Sequence, residues 1–197
     1  MGLEIKCYPD GMYGENTYLI TDEATGFKAV IDPGYFGVDV RFDIQNNAYL
    51  KYMLLTHGHH DHFLAAADYK KEYSSVRFAV PEKDAALIKS QPYGCPEPTM
   101  LLKEGDVITL GETELRVIET PGHTGGGICF ATDREIFTGD TLFKLSVGRT
   151  DLPTGDWNTL VRSIQEKLYT LDDEMIVYPG HGAPTTIAYE KRANPFV

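Results

Sequence analysis

Apolar residues run along this chain in short stretches, none longer than five, broken by Asp-, Gly- and Pro-marked turns. Residues 3–8, 16–21 and 27–31 have the length and composition of strands. Asp32-Pro33-Gly34 ends the third of them, since a Pro-Gly pair stops regular structure. Residues 52–55 are a compact apolar run of buried-strand length, and 63–73 carry the apolar spacing and alanine content of a helix. A strand at 76–80 follows, then a short helix at 82–90 that starts just after Pro81. Residues 91–98 hold three prolines and a glycine and are expected to be a loop. Residues 107–110, 114–119, 128–132 and 135–138 read as antiparallel strands. Asp156 is placed to cap a helix over 157–168, with Leu160, Ile164 and Leu168 four residues apart on one face. Residues 175–178 form a last strand. Strands, a helix, strands and a helix again predict helices outside two stacked sheets, and 197 residues suit a single domain spanning 1–197.

Composition narrows the function classes. Apolar content of 42% predicts a packed globular fold, and a net charge of −11 with no basic stripe argues against a nucleic-acid partner. No run is long enough to span a membrane. The first residues, Met1 to Lys6, form no apolar signal core. Cys7, Cys95 and Cys129 include no Cys-x-x-Cys pair, so free thiols in a reducing cytoplasm are expected.

Five of the six histidines, all but His60, fall where two metal ions would need them, in four motifs rich in Gly and Asp: Thr56-His57-Gly58-His59-His60-Asp61-His62, Pro121-Gly122-His123-Thr124, Thr138-Gly139-Asp140-Thr141 and Pro179-Gly180-His181-Gly182. Crowding imidazoles and a carboxylate into one loop is electrostatically costly without a cation. In extended backbone alternate side chains point the same way, so His57 and His59 face one ion and His60 falls out of phase. Asp61 and His62 come where the chain turns and face a second ion. His123 would complete the first site, His181 the second, and Asp140 would bridge them. Imidazole and carboxylate without thiolate suit two divalent ions: zinc first, with iron or manganese as alternatives.

The ordered set of motifs, with Ala29-Val30-Ile31-Asp32-Pro33-Gly34 ahead of it, resembles the metallo-β-lactamase superfamily from Tyr18 to about Pro184. That resemblance implies an α+β fold: a four-layer αβ/βα sandwich of two mixed sheets with helices on the outer faces and the metals at one sheet edge. Thr138-Gly139-Asp140-Thr141-Leu142-Phe143 and Ser146-Val147-Gly148-Arg149-Thr150-Asp151-Leu152-Pro153 are similar to the glyoxalase II-type branch, especially its short bacterial members. The implied activity is hydrolysis of a small-molecule thioester or ester, such as S-lactoylglutathione, by a hydroxide shared between two ions, with Asp61 holding the second ion and orienting that hydroxide. The resemblance also admits a persulfide dioxygenase with one iron on His57, His123 and Asp140, and a lactonase or phosphodiesterase. β-Lactamases that carry a cysteine where this chain has Asp140 are set aside. Only 16 residues follow His181, so the C-terminal helical domain of classical glyoxalase II is expected to be absent. Arg149 and Lys144 are the candidates for a substrate carboxylate, Arg for its planar fork.

Overall fold

The structure is a computed structural model and describes residues 2–9, 13–44 and 49–197. The first half of the chain builds β1 (Leu3–Tyr8), β2 (Thr17–Asp22), β3 (Lys28–Ile31), α1 (Val38–Ile44), β4 (Leu50–Leu54), α2 (Ala66–Glu72), β5 (Arg77–Pro81), α3 (Ala85–Ser90) and β6 (Met100–Leu102). The second half builds β7 (Val107–Leu110), β8 (Thr113–Glu119), β9 (Ile128–Ala131), β10 (Glu135–Gly139), a small hairpin of β11 (Leu142–Phe143) and β12 (Ser146–Val147), α4 (Trp157–Glu166), β13 (Ile176–Pro179), β14 (Thr185–Thr186) and α5 (Ile187–Ala193).

Two six-stranded mixed sheets result, ordered β1-β2-β3-β4-β5-β6 and β14-β13-β10-β9-β8-β7. In the first, β1 to β3 are antiparallel and β3 to β6 parallel. In the second, the predicted antiparallel run from β7 to β10 is present, and β13 joins β10 in parallel.

Strand alternation distributes the apolar side chains over three cores. Along β2 to β5, Leu19, Val30, Met53, Phe78 and Val80 pack outward beneath Val40, Ile44, Ala66, Tyr69 and Ile88 of α1 to α3. Their strand neighbours Ile20, Ala29, Ile31, Leu54 and Ala79 face the second sheet and meet Val117, Ile128, Phe130 and Phe137. On the far side, Cys129, Ile136 and Val177 pack under Leu160, Ile164 and Ile187. A strand covered on both faces must be apolar at consecutive positions, which is why residues 52–55 read as an unbroken run. The architecture is the four-layer sandwich expected from the motifs.

Several boundaries and elements differ from expectation. The helix after the histidine cluster starts at Ala66 rather than residue 63, because residues 60–62 form a 3-10 turn. Residues 82–84 likewise form a 3-10 turn before α3. Asp156 caps α4 through Thr159 N (2.8 Å), but the helix closes at Glu166 and a separate 3-10 turn carries Leu168. The short helix α1 has an apolar residue at every second position, a strand-like pattern. As a helix it buries Val40 and Ile44, four apart, and leaves Val38 and Phe42 in solvent. Among the described residues no helix is long and apolar enough to cross a membrane.

Candidate metal centre

The seven residues singled out in sequence converge at one edge of the sandwich, where strands of both sheets end. β4 runs out through Leu55 and Thr56 into His57; β10 ends at Gly139 beside Asp140; β13 ends at Pro179, two residues before His181. His123 sits in the connection between β8 and β9. Backbone hydrogen bonds lock these ends together: Ile128 N donates to Thr56 O (2.9 Å) across the sheets, and Gly180 N to Gly139 O (2.8 Å). Gly180 has to be glycine for reasons of space, since a Cβ there would run into the Asp140 carboxylate and the His62 ring.

Three groups of potential ligand atoms each lie within 4.8 Å of one another: His57–His59–His123, His57–His62–Asp140 and Asp61–His62–His181. Asp140 stands between the outer two. Its Oδ2 is 3.4 Å from His123 Nε2 and 3.6 Å from His181 Nε2, and its Oδ1 is 3.4 Å from His62 Nε2. Asp61 Oδ2 is 3.4 Å from His181 Nε2 and 3.6 Å from His62 Nε2. Two ligands held tetrahedrally at about 2.0–2.1 Å from one ion are about 3.4 Å apart. These spacings therefore match donors around shared cations.

The rest of each side chain is fixed by partners outside the cluster. Thr56 Oγ1 donates to Asp32 Oδ2 (2.8 Å), so it accepts from His57 Nδ1 (3.1 Å), and the His57 Nε2 lone pair points into the cluster. Asp32 Oδ2 also accepts from His62 Nδ1 (2.9 Å), and its Oδ1 accepts from Thr56 N (2.8 Å). His123 Nδ1 donates to the Arg149 carbonyl (2.6 Å) and His181 Nδ1 to the Gly14 carbonyl (3.2 Å). His123 Nε2 is then left to accept from His59 Nδ1 (2.8 Å). The bonds to Thr56, Asp32, Arg149 and Gly14 each select the imidazole nitrogen that faces inward, the usual role of outer partners at metal sites, whereas the His59–His123 contact lies within the cluster itself. Asp84 Oδ2, also buried, takes Gly58 N (2.8 Å) and Thr124 Oγ1 (2.7 Å), tying the histidine loop to the His123 loop.

Electrostatics within the cluster point the same way. Burial, reinforced by the neighbouring imidazoles of His62, His123 and His59, holds His57 well below its ordinary range. Burial and His123 bring His59 down to about 4. For Asp61 burial opposes ionisation, but His181 and His62 outweigh it and keep the carboxyl below the usual range. Asp140 is lowered against the same opposition, chiefly by His62. His62 rises despite burial because Asp140 and Asp32 both face it. His57 Nε2, His62 Nε2 and Asp140 Oδ1 are all buried with no hydrogen-bond partner. Orphaned buried polar atoms are rare in native folds. Here they fit divalent cations.

The other candidates are placed differently. His60 belongs to none of the three groups; it stacks on Tyr93 at 4.3 Å and meets Tyr13 edge-on at 5.2 Å. The Arg149 guanidinium does not present an open fork: Nε and Nη2 bind the two Asp151 carboxylate oxygens at 2.7 and 2.6 Å, in solvent. The Arg149 main chain is what reaches the centre, through His123. Lys144 is exposed and follows Phe143, whose ring meets His181 edge-on at 6.1 Å. Cys95 is half-buried against the outer core, and burial pushes its thiol up to about 12. Asp32, Asp84 and the Arg149 carbonyl were not identified as site groups in sequence. Only Asp32 had a signal, in the Asp-Pro-Gly that follows β3.

Comparison with known proteins adds three findings. A sequence profile described as the metallo-beta-lactamase superfamily matches residues 10–181. A protein of Haemophilus influenzae named hydroxyacylglutathione hydrolase GloC is 37% identical, over 99% of this chain and 98% of its own length. Among solved structures, the BLEG-1 B3 metallo-beta-lactamase superposes with a TM-score of 0.88 at 29% identity, covering 98% of this chain and 99% of that one. TTHA1623 in a di-iron-bound form superposes with a TM-score of 0.84 at 31% identity, covering 98% and 100%. A structure described as a β-lactamase is thus among those this chain superposes on.

Proposed function

We infer, since this chain belongs to the metallo-beta-lactamase superfamily, that it is a metal-dependent hydrolase acting on a small thioester of the hydroxyacylglutathione type through a dinuclear site. The observation that carries this reading is Asp140, buried between two ligand triads with its two oxygens turned to different imidazoles. In the proposed arrangement His57, His59 and His123 would hold one ion and Asp61, His62 and His181 the other, with Asp140 available to both. Such ions lower the pKa of a shared water toward neutrality and polarise a carbonyl oxygen. Zinc suits the donor set, and the relative with a di-iron form supports iron equally.

The chain's own groups give the reaction its direction. Asp61, kept ionised, anchors the second position and faces the shared space beside Asp140. Asp32, Thr56 and the Arg149 carbonyl hold the imidazoles in one tautomer, so no reorganisation is needed as charge develops. A thiolate, with a thiol pKa of about 8.5, leaves without a strong proton donor. An amine leaving from a β-lactam needs a delivered proton, which favours the thioester. Lys144, exposed beside Phe143, remains a candidate for a substrate carboxylate, whereas the Arg149 guanidinium is already held by Asp151. A one-domain organisation belongs to the same proposal.

The test is a substrate panel on metal-loaded protein: S-lactoylglutathione, a simple acyl thioester, a lactone and a β-lactam. The expected result is a kcat/KM for thioesters at least about a hundredfold above that for the β-lactam, a difference of about 2.7 kcal/mol in barrier. The BLEG-1 match makes β-lactam turnover one rival, and a reversed order would favour it.

A further inference from the structure

Glu15 lies outside the proposed ligand set and carries a carboxylate that the set does not account for. The residue is fully buried, and neither Oε1 nor Oε2 has a hydrogen-bond partner. An ionised carboxylate in such a place is costly unless a cation compensates it. Among the described residues no lysine or arginine does so.

Its position is specific. The Glu15 backbone forms an antiparallel bridge with His181. The next residue, Asn16, clamps the His181 loop, its side-chain amide donating to the carbonyls of Pro179 (2.9 Å) and Gly182 (2.8 Å). On the other side the Glu15 carboxylate and the Asp61 carbonyl crowd against Gly34, where an added Cβ would collide with both. Burial pushes the Glu15 carboxyl above its ordinary range, and among its charged neighbours His62 and His181 favour the ionised form while Asp61 opposes it. These are the three members of one ligand triad.

We propose that Glu15 is a buried counter-charge to the ion of the Asp61–His62–His181 triad, a positioning residue that sets the affinity of that second site and not of the first. The inference rests on the dinuclear reading. It assigns the unpartnered carboxylate a role in metal loading: the fold keeps a buried carboxyl beside the second position, where a divalent cation would stabilise its ionised form. Glycine at 34 leaves the space that lets the carboxylate lie behind Asp61.

The experiment uses protein stripped by chelation, with Glu15→Gln and Glu15→Met beside the wild type. Zinc is titrated against a chromophoric chelator, ion content is read by elemental analysis, and the metal-free melting temperature is recorded. Both variants remove the charge, but only Gln keeps hydrogen-bonding groups. Both are expected to lose about 10- to 100-fold in affinity for the second ion, the usual effect of an outer partner at a metal site, with the first ion bound as in wild type. The metal-free Glu15→Met protein is expected to melt no lower than the metal-free wild type, because a buried carboxyl without a hydrogen-bond partner has gone. A merely structural Glu15 gives the opposite pattern: metal-free variants that melt lower and a second ion bound as tightly as before. Retained affinity in Glu15→Gln with loss in Glu15→Met alone would assign the role to hydrogen bonding through a water and overturn the counter-charge. Fewer than two ions in the wild type would defeat the dinuclear reading and this inference with it, and that result precedes any variant.

Discussion

Replacing Asp140 with alanine is expected to lower kcat/KM by at least about a thousandfold, equivalent to about 4 kcal/mol of transition-state stabilisation. Its two oxygens face His62 on one side and His123 and His181 on the other, so a single truncation removes a donor from both proposed ion positions. Ion content is expected to fall below the wild-type value at both sites, not one. The fold should survive. The metal-free variant is nevertheless expected to melt somewhat lower, because, against the cost of burial, His62 holds the Asp140 carboxyl below its ordinary range and the ionised pair supports the metal-free fold. Elemental analysis and a thermal melt of the metal-free variant separate these effects. Full turnover in Asp140→Ala would refute a shared ligand at this position.

The second large effect belongs to a residue that touches no proposed ion. Asp32 is 1% exposed and adopts a left-handed backbone at φ 52°, unusual for a residue other than glycine. From there its carboxylate receives Thr56 N, Thr56 Oγ1 and His62 Nδ1. Asparagine at 32 offers one oxygen and turns an NH2 toward groups that are themselves donors. The expected result is a loss of about 1–3 kcal/mol in unfolding free energy from the unsatisfied contacts. His62 also loses the bond that fixes its orientation, and affinity at its site should fall about 10- to 100-fold. Urea unfolding of metal-free protein reads the first effect and a chelator titration the second. Unchanged metal affinity in Asp32→Asn would mean that His62 needs no such partner.

What sequence made legible here was local. His57, His59, Asp61 and His62 lie within six residues, and a strand ending in that loop can be recognised from one window of chain. Their convergence with His123, Asp140 and His181 was legible only through resemblance, because nothing in the spacing of four separate loops makes them meet. The supports were harder still. Asp32 reaches His62 across 30 positions, and Asp84 reaches Gly58 and Thr124 across 26 and 40. Contacts of that kind leave no periodic trace. Arg149 drew attention for its guanidinium, yet the structure uses its carbonyl, which any residue supplies. The helix α1 escaped for the opposite reason: its pattern of apolar positions fits a strand as well as a helix, and packing of Val40 and Ile44 against the first sheet decides it.

The central claim is that this chain carries two cations on one shared carboxylate and uses them on a thioester. Ion content by elemental analysis of untagged protein, with S-lactoylglutathione hydrolysis followed on the same preparation, tests it most directly. About two zinc or iron ions per chain are expected, with turnover lost on chelation and regained on reloading. A single iron per chain, no thioester turnover and oxygen uptake with a persulfide would contradict it, and would place His57, His123 and Asp140 around that one ion instead.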